Sequence, residues 1–138
     1  MPNGDCLFCQ IVSGKIPATK IYEDDKILAI LDIHPVNPGH TLIMPKKHFI
    51  NLLDTDEETA TAMILATKKI ALAVINGLNL DAFNLELNNG RIAGQIIPHL
   101  HWHIVPRNPA DELQHWPGKS YRAGEAEEIA DKIREALK

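Results

Sequence analysis

The residues best suited to chemistry in this sequence are three histidines that alternate with apolar residues. His99, His101 and His103 are separated by Leu100 and Trp102. Side chains alternate between the two faces of an extended strand, so this spacing predicts three imidazoles on one face. Imidazole can accept a proton, attack an electrophile, hold phosphate oxygens or bind a metal near neutral pH. The alternative is a solvent-facing strand that is rich in histidine, and the spacing favours a functional site.

A second group of potential ligands lies near the N-terminus. Cys6 and Cys9 are the only two cysteines, and they form a Cys-x-x-Cys pair. In a cytosolic chain such a pair is usually a metal half-site or a redox pair. A thioredoxin-like motif would follow a strand and open a long helix, whereas this pair precedes a short segment that ends at Ser13-Gly14. This context favours zinc, with two inert thiols or a redox pair as the alternatives.

The segments between these groups predict an antiparallel sheet. Apolar runs at residues 20–23 and 27–32 flank a short polar turn, which indicates a hairpin. Three further strands are expected at residues 40–45, at residues 82–88 and, carrying the histidines, at residues 97–106. Antiparallel strands with helices grouped apart from them are typical of the α+β class, here with about five strands.

Two helices are also expected. The segment 55–58 is a capping box of the Thr-x-x-Glu type, and apolar residues then recur at helical spacing, which predicts a long helix from about Asp56 to Asn76. Gly77 lies near its expected end. A C-terminal extension at about residues 119–138 carries an amphipathic helix that begins near Glu125. The apolar stripe of the long helix is wide enough for part of it to face a second subunit.

Composition limits the classes of function. The chain has 138 residues and a formal net charge of −4, so we expect one domain over residues 1–138 and no bulk nucleic-acid binding, which needs a basic surface. An anionic small molecule is compatible with this charge where local donors reverse the field in one cleft. No apolar run approaches the length of a membrane span, and the first residues lack the pattern of a signal peptide. We therefore expect a cytoplasmic protein without a membrane partner.

The histidine segment, taken with its surroundings, resembles the histidine triad (HIT) superfamily. The signature of that superfamily is His-φ-His-φ-His-φ-φ, where φ is apolar, and residues 99–105 match it at every position. Other segments resemble its Hint branch, and they are residues 22–25, 31–35, 38–43, 45–48, 88–90, 94–95 and 115–117. The resemblance implies a HIT-like fold and a homodimer in which the sheets of two subunits join through the long helix and the strand near residues 83–88.

The resemblance also implies an activity. Family members are nucleotidyl hydrolases or transferases that act on the α-phosphate of purine nucleotide conjugates such as nucleoside phosphoramidates. The catalytic residues would be His101, the nucleophile that forms a nucleotidyl-histidine, and His103 at the phosphate. Together with these two histidines, the implied nucleotide-binding residues are Phe8, Ile30, Asp32, Ile33, His40, Asn88, Gly94, Gln95, Ile96 and Trp116.

Several of these roles have structural alternatives. Asp32 would accept hydrogen bonds from the ribose hydroxyls, but an aspartate at a strand end is also a common turn residue. Phe8, Ile30 and Ile33 would line the base pocket, or they belong to the core. Trp116 of one chain would reach the site of its neighbour.

The metal ligands follow from the same resemblance. Some HIT members bind zinc through Cys-x-x-Cys and two histidines, and the matching positions are Cys6, Cys9, His48 and His99. Four protein ligands would make this zinc structural. His99 would then belong to the metal, and only two histidines of the triad would face the phosphate.

One residue departs from the pattern of the Hint branch. Two positions after the residue that matches Gly94, that branch usually carries serine or threonine, and this chain has Ile96. The hydroxyl that would reach the phosphate and the leaving group is therefore missing. Two other hypotheses stay open, a zinc-stabilised nucleotide-binding or adaptor protein with little turnover, and a metallohydrolase with a metal on all three triad histidines.

Overall fold

A computed structural model describes residues 4–138 and has the α+β fold predicted from the sequence. Its strands are β1 (Lys20–Glu23), β2 (Ile27–Leu31), β3 (Thr41–Pro45), β4 (Ala82–Leu87) and β5 (Trp102–Arg107). Its helices are α1 (Leu7–Val12), α2 (Glu57–Leu78) and α3 (Glu125–Ala136). The strands pair antiparallel in the order β1-β2-β3-β5-β4, so the expected sheet of about five strands, the long helix and the C-terminal helix are confirmed.

The two faces of the sheet are covered by different parts of the chain. Strands β2 and β3 are buried on both faces, which explains their continuous apolar sequences. Helix α2 covers the face that carries Ile43, Trp102 and Ile104. The N-terminal segment with α1 covers the other face, where Phe8 packs in one cluster with Leu42. His103 pairs with Leu42 in the register of β3 and β5, which places it on the face of α1.

Helix α2 begins and ends differently from the prediction. Asp56 is the N-cap, and its carboxylate accepts a hydrogen bond from the Thr59 N–H at 2.7 Å. The capping box on Thr55 is therefore wrong, because the Thr55 hydroxyl donates instead to the Asn51 carbonyl at 2.7 Å. The helix continues past Gly77 to Leu78, and its C-cap is Asn79, which has a left-handed φ of 57°. Asparagine tolerates this conformation, so glycine is not needed for the stop.

The histidine strand is shorter than predicted. We expected it at residues 97–106, but β5 begins at Trp102, and both His99 and His101 precede it. Pro98 has no N–H for a ladder, and the His99 N–H donates to the Ile97 carbonyl at 2.8 Å in a tight turn. Of the three histidines, only His103 therefore lies in the strand, and the alternation of side chains between the two faces does not apply to His99 and His101.

The apolar character of α2 reflects packing on the sheet. The helix is long and apolar enough to cross a membrane by length and composition alone. It buries Met63 and Ile70 against the sheet, as the core helix of a folded domain does. Ile64 of α2 and the edge-strand residues Phe83 and Leu85 remain exposed.

Candidate functional site

The ring of His101 presents an unprotonated nitrogen. Its Nδ1 lies 2.7 Å from the backbone carbonyl oxygen of His99. A carbonyl only accepts, so Nδ1 carries the proton and donates it to this bond. The neutral ring then has its lone pair on Nε2, the nitrogen that a nucleophile or a base needs.

A chain of hydrogen bonds fixes the opposite arrangement in His103. The Val36 N–H donates to Nδ1 of His40 at 3.0 Å, so the neutral His40 ring carries its proton on Nε2. That Nε2 donates to Nδ1 of His103 at 2.9 Å. His103 must therefore carry its own proton on Nε2. With ring centroids 5.2 Å apart, His101 offers a lone pair beside an N–H donor of His103.

Both ring nitrogens of His40 are engaged in this chain. Its side chain is buried, with a relative exposure of 5% for the residue. In this tautomer no N–H of His40, one of the implied nucleotide-binding residues, is free for a phosphate oxygen. The effect of His40 on a bound phosphate would pass through His103.

The site histidines are held neutral. Burial, the largest cause, lowers the pKa of His101, His103 and His40 below the ordinary value for histidine. The Asp32 carboxylate, 3.5 Å from Nε2 of His40, and the Glu86 carboxylate act in the opposite direction on His40 and His103. Neutral imidazoles are the state that provides one donor and one acceptor on each ring.

The structure places Asp32 at a turn beside the histidines. Its Oδ1 accepts a hydrogen bond from the His34 N–H at 2.8 Å, which is the turn role that we left open. The second carboxylate oxygen, Oδ2, is the one near His40. One carboxylate can thus shape the turn and still face the site.

The three residues expected to line a base pocket have different surroundings. Ile33 has 85% of its surface exposed and is available to a ligand. Phe8 and Ile30 are buried in the core cluster on the face of α1, at 3% and 4% exposure. The core alternative therefore fits Phe8 and Ile30 better than Ile33.

The loop after β4 is built around the Gln95 side chain. Its Oε1 accepts from the Gly90 N–H at 2.9 Å, and its Nε2 donates to the carbonyls of Ile50 and Ile97 at 2.6 and 3.0 Å. Gly94 has a φ of 99°, which favours glycine. Since the Gln95 amide is used inside the loop, this segment can offer a ligand only backbone groups at this position.

Three expected binding residues surround this loop or lie beyond it. A side chain at Gly94 would meet the Asn88 amide at an ordinary contact distance of 3.6 Å, so Asn88 and Gly94 are neighbours. Ile96 is 86% exposed. Trp116 lines a groove with Leu85 of β4, and among residues 4–138 no hydrogen bond or ring contact joins it to the triad.

The four expected metal ligands converge at a second centre. Their ligand atoms, one each from Cys6, Cys9, His48 and His99, all lie within 4.8 Å of one another. The Nδ1 of His99 lies 3.3 Å and 3.6 Å from the two sulfurs and 3.2 Å from Nδ1 of His48, which is itself 3.4 Å from the Cys9 sulfur. A tetrahedron with zinc–ligand bonds of about 2.0–2.3 Å has edges of about 3.3–3.8 Å. The donor set therefore fits one tetrahedral zinc ion.

Backbone contacts orient this donor set. Nε2 of the fully buried His99 donates to the Pro45 carbonyl at 2.8 Å, which leaves the lone pair on Nδ1, facing the sulfurs. Burial lowers the pKa of His99 to about 4, so the ring is neutral, as a metal ligand must be. A metal shared by all three triad histidines is not supported, because the free nitrogen of His99 points to the cysteines.

Sequence reasoning identified most of these side chains but not the groups that set their protonation. The Val36 N–H and the Pro45 carbonyl are backbone groups, and no residue type signals their position. The contact between Phe8 and the His101 ring, with centroids 4.9 Å apart, was also missed.

Comparison with known proteins identifies the family of this chain. The family model of the HIT domain matches residues 13–110, most of the described fold. The chain belongs to the HIT domain family, so the resemblance found in the sequence is confirmed.

Three relatives illustrate the likeness. The structure of SMU.412c from Streptococcus mutans UA159 superposes with a TM-score of 0.93 at 36% identity, covering 99% of this chain and 87% of that one. A Zn-bound histidine triad family protein from Mycobacterium smegmatis has a TM-score of 0.76 at 40% identity, with 92% and 97% covered. The adenylylsulfatase HINT3 of Arabidopsis thaliana is 44% identical over 120 residues, which are 87% of this chain and 60% of that protein.

Proposed function

We propose that the protein is a nucleotidyl hydrolase or transferase that acts on the α-phosphate of purine nucleotide conjugates. The observation that carries the proposal is the pairing of a lone pair on Nε2 of His101 with an N–H on Nε2 of His103. A nucleophile beside a hydrogen-bond donor is the arrangement needed to attack a phosphorus centre while holding its oxygens.

In the proposed reaction Nε2 of His101 attacks the α-phosphorus. The new N–P bond forms as the bond from phosphorus to the leaving group breaks, and the leaving group takes up a proton from solvent. Water then attacks the same phosphorus, the N–P bond breaks, and a nucleoside monophosphate is released while the proton of the water returns to solvent. The N–H of His103 holds a non-bridging phosphate oxygen in both steps, and the Nδ1–H of His101 stabilises the positive charge on its ring through the His99 carbonyl.

The remaining binding residues are assigned by their positions. Asp32 offers its Oδ2 to the ribose hydroxyls, and the exposed Ile33 contacts the base. Asn88 and the backbone amides of the loop at residues 94–96 face the phosphate. This loop lacks a hydroxyl at Ile96, so leaving-group protonation there would depend on other groups or on water.

A panel of conjugates tests the activity and the choice of leaving group. Adenosine phosphoramidate, adenylyl sulfate and diadenosine polyphosphates should be assayed for release of AMP. The name of the Arabidopsis relative, an adenylylsulfatase, supports including the sulfate anhydride. Turnover of at least one conjugate is expected. Binding of AMP without turnover of any of them would favour the zinc-stabilised adaptor alternative.

The pH dependence should reflect neutral histidines. Burial lowers the pKa values of the hydrogen-bonded pair His40 and His103, and Asp32 and Glu86 oppose this only in part. The neutral pair, of which only His103 donates to phosphate, therefore persists to a lower pH than an ordinary imidazole, whose pKa is about 6.5. We expect kcat/KM to stay level from about pH 8 to about 6.5 and to fall only below that. An acid limb with its midpoint above about 6.5 would contradict this assignment.

The exposed apolar surface supports a homodimer. Ile64, Phe83 and Leu85 lie on α2 and on β4, a strand at the edge of the sheet. An exposed edge strand with apolar side chains is a site for pairing with another chain. A two-fold axis here would join two sheets, and Trp116 would then reach the neighbouring site.

Substitution at this surface tests the dimer. The wild-type protein should sediment as a dimer at micromolar concentration, and Leu85→Asp should sediment as a monomer, because a charge would be buried at the interface. Ile133→Asp is the matched control, since Ile133 on α3 is exposed to a similar degree and lies outside the proposed interface. A monomeric wild-type protein, or an equal loss in both variants, would argue against this interface.

The other assignments complete the proposal. We assign a structural zinc to the four-ligand centre, and the Zn-bound relative from Mycobacterium smegmatis supports this choice of metal. We further propose one HIT domain over residues 1–138, acting in the cytoplasm without nucleic-acid or membrane partners, in line with the net charge of −4.

A further inference from the structure

Phe8 lies between the two cysteines of the metal centre and contacts the candidate nucleophile. It is the second residue of α1, whose N-cap is Cys6. Its ring meets the His101 ring edge-on, with centroids 4.9 Å apart and an interplanar angle of 79°. The same ring lies 5.8 Å from the ring of His99, again edge-on. One aromatic side chain thus touches a metal-side histidine and the nucleophile.

Hydrogen bonding alone does not fix the direction of the nucleophile. The single bond from Nδ1 of His101 to the His99 carbonyl sets the tautomer and one point of the ring. The ring can still tilt about that point unless its sides are packed. Among residues 4–138 its aromatic neighbours are His103 and Phe8, and the edge-to-face arrangement with Phe8 is a preferred geometry for aromatic pairs. The position of Phe8 therefore helps to determine where Nε2 points.

The position of Phe8 in turn depends on the metal ligands. Helix α1 has only six residues, too few to be stable without tertiary contacts. Its anchors are the buried side chains Phe8 and Ile11 and the two cysteines. Because Cys6 and Cys9 flank Phe8 in the same turn, the helix turn that carries the ring is tied directly to the metal ligands.

We propose that Phe8 is a positioning residue for His101 and that it couples the zinc centre to the direction of the nucleophile. The inference rests on the proposed function for the role of His101. With 3% exposure, Phe8 has little surface to offer a purine base, which favours positioning over base binding. A displacement of about 1 Å in a reacting group can cost about 100-fold in rate, so a packing contact of this kind is sufficient to matter.

The Phe8→Leu variant tests this role. With adenosine phosphoramidate as substrate, kcat should fall by about tenfold or more while KM changes by less than about twofold, because attack geometry is lost and substrate contacts are kept. Zinc content, measured by elemental analysis, should stay at the wild-type level. Ile11→Val is the matched control, since it removes a methyl group from the other buried side chain of the same helix, and its kcat should stay near wild type.

Nitrogen NMR of the histidine rings gives a readout independent of turnover. In Phe8→Leu, and in wild-type protein treated with a chelator, the His101 ring signals should shift or broaden. The His103 signals should change less, because His103 takes its hydrogen bond from His40. If Phe8→Leu does not fold, Phe8→Met fills a similar space.

Three results would overturn the proposal. The first is an unchanged kcat in Phe8→Leu. The second is a rise in KM alone in that variant, which would assign Phe8 to nucleotide binding. The third is a set of His101 ring signals that stay unchanged in both the variant and the chelated wild-type protein. Because the NMR experiment needs no substrate, absence of turnover in the wild type would count against the proposed function and not against the positioning role.

Discussion

The His101→Ala variant is expected to lose turnover of a nucleotidyl conjugate by about 10,000-fold or more, as removal of a catalytic nucleophile does in other enzymes. The tautomers explain why no neighbour can replace it. The lone pair of His99 faces the metal centre, and Nδ1 of His103 accepts from His40. Of the three triad histidines, only His101 therefore has an unprotonated ring nitrogen that faces neither the metal centre nor a hydrogen-bond donor of the triad site.

Binding and trapping experiments separate this role from a binding role. The variant should bind AMP within about tenfold of wild type, since a nucleophile contributes more to the transition state than to the ground state. Wild-type protein quenched during turnover should carry a nucleotidyl adduct on the peptide that contains residue 101, and the variant should not. His34→Ala, an exposed histidine close to Asp32 in sequence, is the control and should keep its activity. Substantial turnover by His101→Ala would assign the nucleophile elsewhere.

The sheet could be predicted from the sequence because its strands have simple patterns of apolar residues. β2 and β3 are continuous apolar runs bounded by turn residues, and their predicted bounds differ from the structure by one residue. Helix α1 was missed for two physical reasons. It has only six residues, too few to show periodicity, and its N-cap is Cys6, a thiol outside the usual set of capping side chains.

The candidate site was predictable as a set of residues but not as a set of protonation states. Residue types indicated the three histidines and the cysteine pair, and the family resemblance assigned roles to His101, His103 and the metal ligands. In His40 and His99, the nitrogen that carries the proton is decided by backbone groups, the Val36 N–H and the Pro45 carbonyl. Every residue type has such groups, so only the fold reveals which one lies at a ring nitrogen.

Burial separates residues that the sequence could not. Phe8 and Ile33 are both apolar residues near predicted turns or strand ends, and either fits a core or a base pocket. The structure buries Phe8 and leaves Ile33 exposed, because α1 covers one face of the sheet while Ile33 lies beyond the end of β2. Such a difference depends on tertiary packing, which local sequence patterns do not describe.

Removing one thiolate ligand should cost the protein its metal and much of its stability. The Cys9→Ser variant is expected to carry far less than the one zinc per chain expected for wild type. Its melting temperature should fall by roughly 10 °C or more, because the free energy of metal binding contributes directly to folding and a few kcal/mol shift the midpoint by this much in a small domain. Elemental analysis and thermal unfolding, each with and without added chelator, measure the two effects.

The reason for so large an effect lies in what the metal would hold together. Cys6 is the N-cap of α1 and Cys9 lies within it, His48 follows β3, and His99 precedes β5, so one ion would join three segments that are distant in sequence. Ser13→Ala is the matched control, because it removes a side-chain hydrogen bond at the end of the same helix and leaves the four ligands intact. Chelator should lower the melting temperature of wild type and Ser13→Ala alike and leave that of Cys9→Ser unchanged. Wild-type zinc content in Cys9→Ser, or an equal response of all three proteins to chelator, would show that the four residues do not bind the metal as a set.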